Sequence, residues 1–169
     1  MPNAAGRFGR LGRLWLSVLV VVLDQAAKYW FDHNLYEGQR MTVIPGLFDW
    51  VLAYNRGAAF SFLADHSGWQ RWLFSVIAIV VSVVLVVWLK RLGRTDTWLA
   101  IALALVLGGA IGNLYDRIVL GHVVDFILVY WNQHYFPAFN LADSAISVGA
   151  AMLALDMFKS KKAGEAVHD

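Results

Sequence analysis

At 169 residues, with 59% hydrophobic and only 15% charged side chains and a mean hydropathy of +0.56, the chain has too little polar material to surround a water-soluble core. The net charge of +2 is small, and no Lys/Arg patch is interleaved with aromatics on a polar face, so a nucleic-acid partner is excluded. The absence of cysteine excludes disulfides, thiolate catalysis and Cys-based metal sites.

Four apolar runs of membrane-crossing length follow one another, at residues 14–31, 72–89, 98–115 and 141–158. At 1.5 Å per residue each covers roughly 27 Å, near the hydrocarbon thickness of a bilayer. Arg7, Arg10 and Arg13 precede the first run. A basic segment leading into LWLSVLVVVL also has the pattern of a cleavable signal peptide, but DQAAKYWF offers no small-x-small cleavage site and continues the helix, so a retained anchor is expected. Within it Asp24 and Lys28 stand at i, i+4 on one face and can pair. A mid-span carboxylate costs roughly 2.5–3.5 kcal/mol to insert, so Asp24 is expected to face the bundle interior with Lys28 as its structural partner.

Residues 32–71 follow as an extramembranous segment. Its stretch MTVIPGLFDWVLAYNRGAAFSF mixes β-branched and aromatic residues, broken at Pro45-Gly46 and Arg56-Gly57, and predicts short strands joined by turns. Lys90, Arg91 and Arg94 fill the turn between the second and third runs. The third run ends GGAIGNLYDR: Gly108 and Gly112 form a small-xxx-small pair that admits a neighbouring helix, and Asn113 and Arg117 share a face. Residues 116–140, with HVVDFILVYWNQHYFP, are apolar and aromatic but too interrupted to span, and are expected to lie along the membrane interface. Lys159, Lys161 and Lys162 open a tail, residues 159–169, that is expected to be solvated and frayed. The basic flanks lie mostly on one side, which predicts both termini in the cytoplasm and residues 32–71 and 116–140 outside. Residues 1–169 thus read as a single integral membrane domain, an all-α bundle of four transmembrane helices with a small extracytoplasmic β element.

The stretch FNLADS opens the fourth run and admits two readings. Asn140 and Asp143 can serve as helix cap and first-turn acid. They can also join Asp24, Lys28, Asn55, Arg56, Asn113, Arg117 and Asp125, all of which project toward the outer half and imply one polar site at one membrane surface. If Asp125 and Asp143 approach each other they cannot both ionise comfortably, so one becomes a base that activates water and the other an acid. That chemistry suits amide hydrolysis. There is no GxSxG, and His33, His66, His122 and His134 show no HExxH or comparable ligand spacing, so no metal site is expected. An ion- or proton-coupled transporter and a noncatalytic membrane scaffold are the alternatives from other classes.

Five stretches in fixed order, DQAAKYW, YNRGAAFSF, GGAIGNLYDRI, GHVVDFI and FNLADS, make the whole chain similar to the bacterial lipoprotein signal peptidases, the signal peptidase II family. The resemblance implies an intramembrane aspartyl endopeptidase of the bacterial inner membrane, active at the periplasmic side. Its substrates are prolipoproteins carrying diacylglycerol on a cysteine, cut just before that residue. It implies Asp125 and Asp143 as the catalytic pair, Asn55, Arg56, Asn113, Arg117 and Asn140 as substrate-binding or supporting groups, and Asp24 with Lys28 as a structural pair. It further implies a β cradle and a short helix over the site, with apolar loops that clamp substrate and admit one water. No cofactor is expected, and the partners are the lipid-modified substrate and membrane lipid, with the chain acting as a monomer.

Overall fold

The computed structural model describes residues 11–57, 68–93 and 96–165, with side chains described from residue 12 to residue 158. Four long helices carry the chain: α1 (Leu14–Asn34), α2 (Trp69–Arg91), α3 (Thr97–Val119) and α4 (Leu141–Glu165). Each is long and apolar enough to cross a membrane by length and composition. Val and Ile crowd α2, where they would weaken a helix in water. In hydrocarbon only a helix satisfies every backbone N–H and C=O within the segment, which overrides that preference. Trp72, Val76, Val80, Val83 and Val84 of α2 accordingly face outward.

Helix α3 is the centre of the bundle and packs against the other three spans. Its interior side is built from small residues, with Ala100, Ala102, Ala104, Ala110, Gly108, Gly109 and Gly112 buried. Gly109 lets the start of α4 lie directly on α3, since a Cβ there would collide with the Ala142 carbonyl and stand 2.7 Å from Ile146. Gly112 admits a carboxylate rather than a helix, because a Cβ there would lie 2.8 Å from Asp24 Oδ2. The serine of α1 adds a polar tie, Ser17 Oγ donating to the Ala104 carbonyl at 2.7 Å. At the other end of the bundle Leu85, Leu89, Leu92, Leu103 and Leu107 form an apolar core between α2 and α3.

A four-stranded antiparallel sheet in the order β1-β2-β3-β4 covers one end of the bundle. Its strands are β1 (Arg40–Ile44), β2 (Phe48–Asn55), β3 (Val123–Trp131) and β4 (His134–Tyr135). The expected turn at Pro45-Gly46 joins β1 to β2, with Gly46 at φ 80°. The sheet is pinned to α1 by stacking of Phe31 on Phe126, with ring centroids 4.5 Å apart, and by Tyr54, whose hydroxyl donates to Asp32 at 2.7 Å. That bond, with burial, pushes the Tyr54 phenol up to about 12, so it stays a donor at all ordinary pH.

Val123–Trp131, a stretch given no strand from sequence, is β3, paired along β2 from Phe48↔Val129 to Asn55↔Val123. Its inner half is buried on both faces, which erases the apolar-polar alternation by which a strand is recognised. Helix α3 runs to Val119, which places Asp116 on it together with Asn113 and Arg117, as the shared face of the latter two requires. The last helix continues to Glu165, through residues expected to fray, since Lys, Ala and Glu are good helix formers. Among the described residues of the segments between spans there is no short helix, and residues 58–67, which include the last five residues of YNRGAAFSF, lie outside the described residues.

Candidate active site

The two carboxylates singled out in the sequence are delivered by different elements. Asp125 lies on β3, opposite Ala53 of β2. Asp143 lies in the first turn of α4. They meet because Phe139 pairs with Ile127, its amide and carbonyl bonding β3 at 2.8–3.0 Å, which sets Asn140 beside Asp125 just before the chain turns into the membrane.

Asn140 is 0% exposed and does two things at once. Its Oδ1 accepts the Asp143 amide at 2.9 Å while its own amide donates to Asp143 Oδ2 at 3.3 Å, a reciprocal helix cap. Its Nδ2 then donates to Asp125 Oδ1 at 2.7 Å. The other oxygen of Asp143, Oδ1, accepts Asn113 Nδ2 at 2.7 Å. Cap and polar site are therefore the same residues. No direct hydrogen bond joins Asp125 to Asp143 among the described residues. Two asparagines bridge them, and the charge of Asp143 acts on Asp125.

Asp125 is 2% exposed. Burial first, and then the charge of Asp143, push its carboxyl up to about 7, against hydrogen bonds from Asn55 and Asn140 that favour the ionised form. The folded chain thus holds a proton on Asp125 that the unfolded chain releases near the usual 3.8, and stability falls as pH rises from about 4 through about 7. Asp125→Asn cannot ionise. Its unfolding temperature in detergent is expected to exceed that of the parent at about pH 8, with the gap closing toward about pH 5. A gap that does not change with pH would show that this carboxyl keeps its ordinary affinity for protons.

The remaining residues divide. Asn55 hydrogen-bonds Asp125 and turns the chain with its Oδ1 on the Gly57 amide at 2.9 Å. Arg117 donates from Nη1 to the Asn113 carbonyl at 3.2 Å, lies 5.3 Å over Phe74, and its charge acts on Asp143, Asp116 and Asp125. Arg56 does not converge with them: its side chain is exposed just past the end of β2, and its charge acts on His122, whose ring lies tilted 4.3 Å from that of Tyr54.

Asp24 and Lys28 pair as their spacing predicts, at 2.7 Å, but they are not a pair alone. Lys28 Nζ also reaches Asp116 Oδ2 at 2.8 Å and donates to Asn113 Oδ1 at 2.9 Å. Asp24 Oδ1 accepts the Ala142 amide at 2.9 Å, and Asp116 accepts Gln25 Nε2 at 2.8 Å and the Val124 amide at 3.2 Å. Sequence reading did not single out Asp116 or Gln25. The available signal was that Asp116 follows Gly112 by four residues, on the face that Asp24 approaches.

A four-span bundle with two carboxylates held by amide donors, one on a β-sheet and one at a helix start, defines a class of membrane protein whose arrangement suits acid–base chemistry. The family model for signal peptidase (SPase) II matches residues 16–159. The chain is 76% identical to a lipoprotein signal peptidase of Pseudomonas fluorescens and 75% identical to one of Pseudomonas putida, over 100% of both chains in each case. It is 74% identical to one of Pseudomonas aeruginosa over 99% of each chain. Two solved bacterial membrane enzymes superpose with TM-scores of 0.79 and 0.77 at 30% and 29% identity. The first alignment covers 89% of each chain, and the second 88% of this chain and 93% of the other. The chain belongs to the signal peptidase II family.

Proposed function

We propose that the chain removes signal peptides from prolipoproteins carrying diacylglycerol on a cysteine, cutting just before that cysteine, with Asp125 and Asp143 as its catalytic residues. The observation that carries this reading is the pair of asparagines, Asn113 and Asn140, themselves hydrogen-bonded, whose amide groups donate to Asp143 and Asp125 respectively. Asp143, accepting on both oxygens, is suited to be the ionised base, and Asp125, buried and pushed up to about 7, to be the acid.

Asp143 takes a proton from water as the water oxygen attacks the scissile carbonyl carbon, and Asp125 gives its proton to the carbonyl oxygen. The result is a tetrahedral diol flanked by a protonated Asp143 and an ionised Asp125. Asp143 then protonates the leaving amine, Asp125 recovers a proton from one hydroxyl, and the C–N bond breaks. Both acids return to their starting states. Asn55, Asn140 and Asn113 hold the carboxylates, and Arg117 supplies positive charge nearby.

The chain sits in the bacterial cytoplasmic membrane with both termini in the cytoplasm, acts as a monomer amid membrane lipid, and has its sheet and carboxylates on the outer side. Purified protein is expected to cut a diacylglyceryl-modified prolipoprotein peptide before the modified cysteine and to leave the unmodified peptide whole, as read by mass spectrometry. Equal cutting of both peptides would remove the lipid from the recognition. Reporter fusions at Gly93 and Lys162 are expected to read cytoplasmic, and fusions at Gly38 and Asn132 external, following the bias of basic flanks. An external reading at Gly93 would place the carboxylates on the wrong side for exported substrates.

A further inference from the structure

Lys28 is 2% exposed and its ammonium has three N–H donors, which are matched by three acceptors: Asp24 Oδ2 at 2.7 Å, Asp116 Oδ2 at 2.8 Å and Asn113 Oδ1 at 2.9 Å. Asp24 and Asp116 alone suffice to compensate one cation. The contact to Asn113 is of another kind, because Asn113 is the residue that donates to Asp143.

An asparagine side chain can face either way round unless its neighbours decide, and here they decide. An ammonium has no lone pair, so the end of Asn113 next to Lys28 must be the oxygen. Asn140 Nδ2, 3.2 Å from the same oxygen, makes the same demand. The Asn113 Nδ2 is thereby left pointing at Asp143 Oδ1. The amide is also polarised, since hydrogen bonding of its oxygen to a cation strengthens its N–H as a donor.

From this geometry we infer that Lys28 is a positioning residue for the reaction: acting through Asn113, it fixes and strengthens the hydrogen bond that keeps Asp143 in the form that accepts a proton from water. The inference rests on the reading of Asp143 as the base. Asp24 and Asp116 are then the frame that holds Lys28 at the right depth, through the Ala142 amide on one side and the Val124 amide on the other.

The test is the pH dependence of kcat/KM on a diacylglyceryl-modified prolipoprotein peptide. Lys28→Met leaves two buried carboxylates without a cation, so the informative protein is Lys28→Met combined with Asp24→Asn, in which Asp116 keeps Gln25 and Val124 as donors. Its acid limb is expected to move about one unit to higher pH, a tenfold change in the proton affinity of the base, with KM little changed. A purely structural role lowers the amount of active protein and leaves the profile in place. Asn113→Ala approaches from the other end of the relay and is expected to move the limb the same way, after which the Lys28 and Asp24 changes move it no further. Folded variants with the parental profile would overturn the role of Lys28. Asp143→Asn run alongside separates the two readings: if it is inactive while the Lys28 variant keeps the parental profile, only the positioning role falls, and if it still cleaves, the base assignment falls with it.

Discussion

Asp125→Asn and Asp143→Asn are each expected to lower turnover of a lipid-modified prolipoprotein by about two to four orders of magnitude, the usual contribution of a positioned acid or base. Binding of the peptide should be retained, since Asn keeps the shape of Asp and loses only its proton chemistry. The double variant should be hardly worse than either single one, because groups that act as a unit do not add. The capping role gives a contrasting forecast. Asn caps a helix as well as Asp does, so if Asp143 served only the Asn140 amide, Asp143→Asn would remain active with stability changed by no more than about 1 kcal/mol. Asp143 accepts on both oxygens, and in Asp143→Asn one of these becomes an NH2 facing a donor, at a cost of about 1–3 kcal/mol that thermal unfolding would register separately from kcat. Folded Asp143→Asn protein cleaving at near the parental rate would remove the pair from the chemistry.

Lys28→Ala is expected to have the largest effect on folding. Asp24 and Asp116 are both 0% exposed, and without the ammonium between them two carboxylates stand buried with no cation in contact. Breaking a buried ion pair by removing one partner costs about 3–5 kcal/mol, a large share of the stability of a chain this size. Yield of folded protein and unfolding temperature in detergent are the measurements. Restoring the balance by Asp24→Asn in the same chain should recover part of the loss, whereas a simple packing defect at residue 28 would not respond to the charge on residue 24.

How far the site can be read from sequence depends on how local its signals are. The i, i+4 spacing of Asp24 and Lys28, the capping pattern of Asn140 and Asp143 and the Pro45-Gly46 turn each sit within a few residues, and each stands where it was expected. Asp116 escaped because its partners are remote: Gln25 lies 91 residues away and is brought near only by the packing of α1 on Gly108 and the space that Gly112 leaves for Asp24. β3 was hidden for the opposite reason. Over Val123–Phe126 the strand is buried on both faces, so no alternation marks its inner half. Arg56 was grouped with the site by its place beside Asn55, but β2 ends at Asn55, which hydrogen-bonds Asp125, while Arg56 lies exposed in the bend that follows.

The relay from Lys28 through Asn113 also bears on how such a chain is made. Asn113 follows Lys28 by 85 residues, so at roughly 5–20 residues per second the ribosome takes several seconds to deliver it after the first helix has emerged. During that interval Lys28 has two carboxylates within a helical turn on its own segment, Asp24 and Asp32, and Asp24 is the one it holds in the finished fold. The first helix can therefore enter the bilayer with the charge of Lys28 already paired, and the same ammonium later takes up Asp116 and Asn113 when the third helix arrives. The spacing that looks like a local structural pair is in this sense a temporary escort for a charge awaiting its final company.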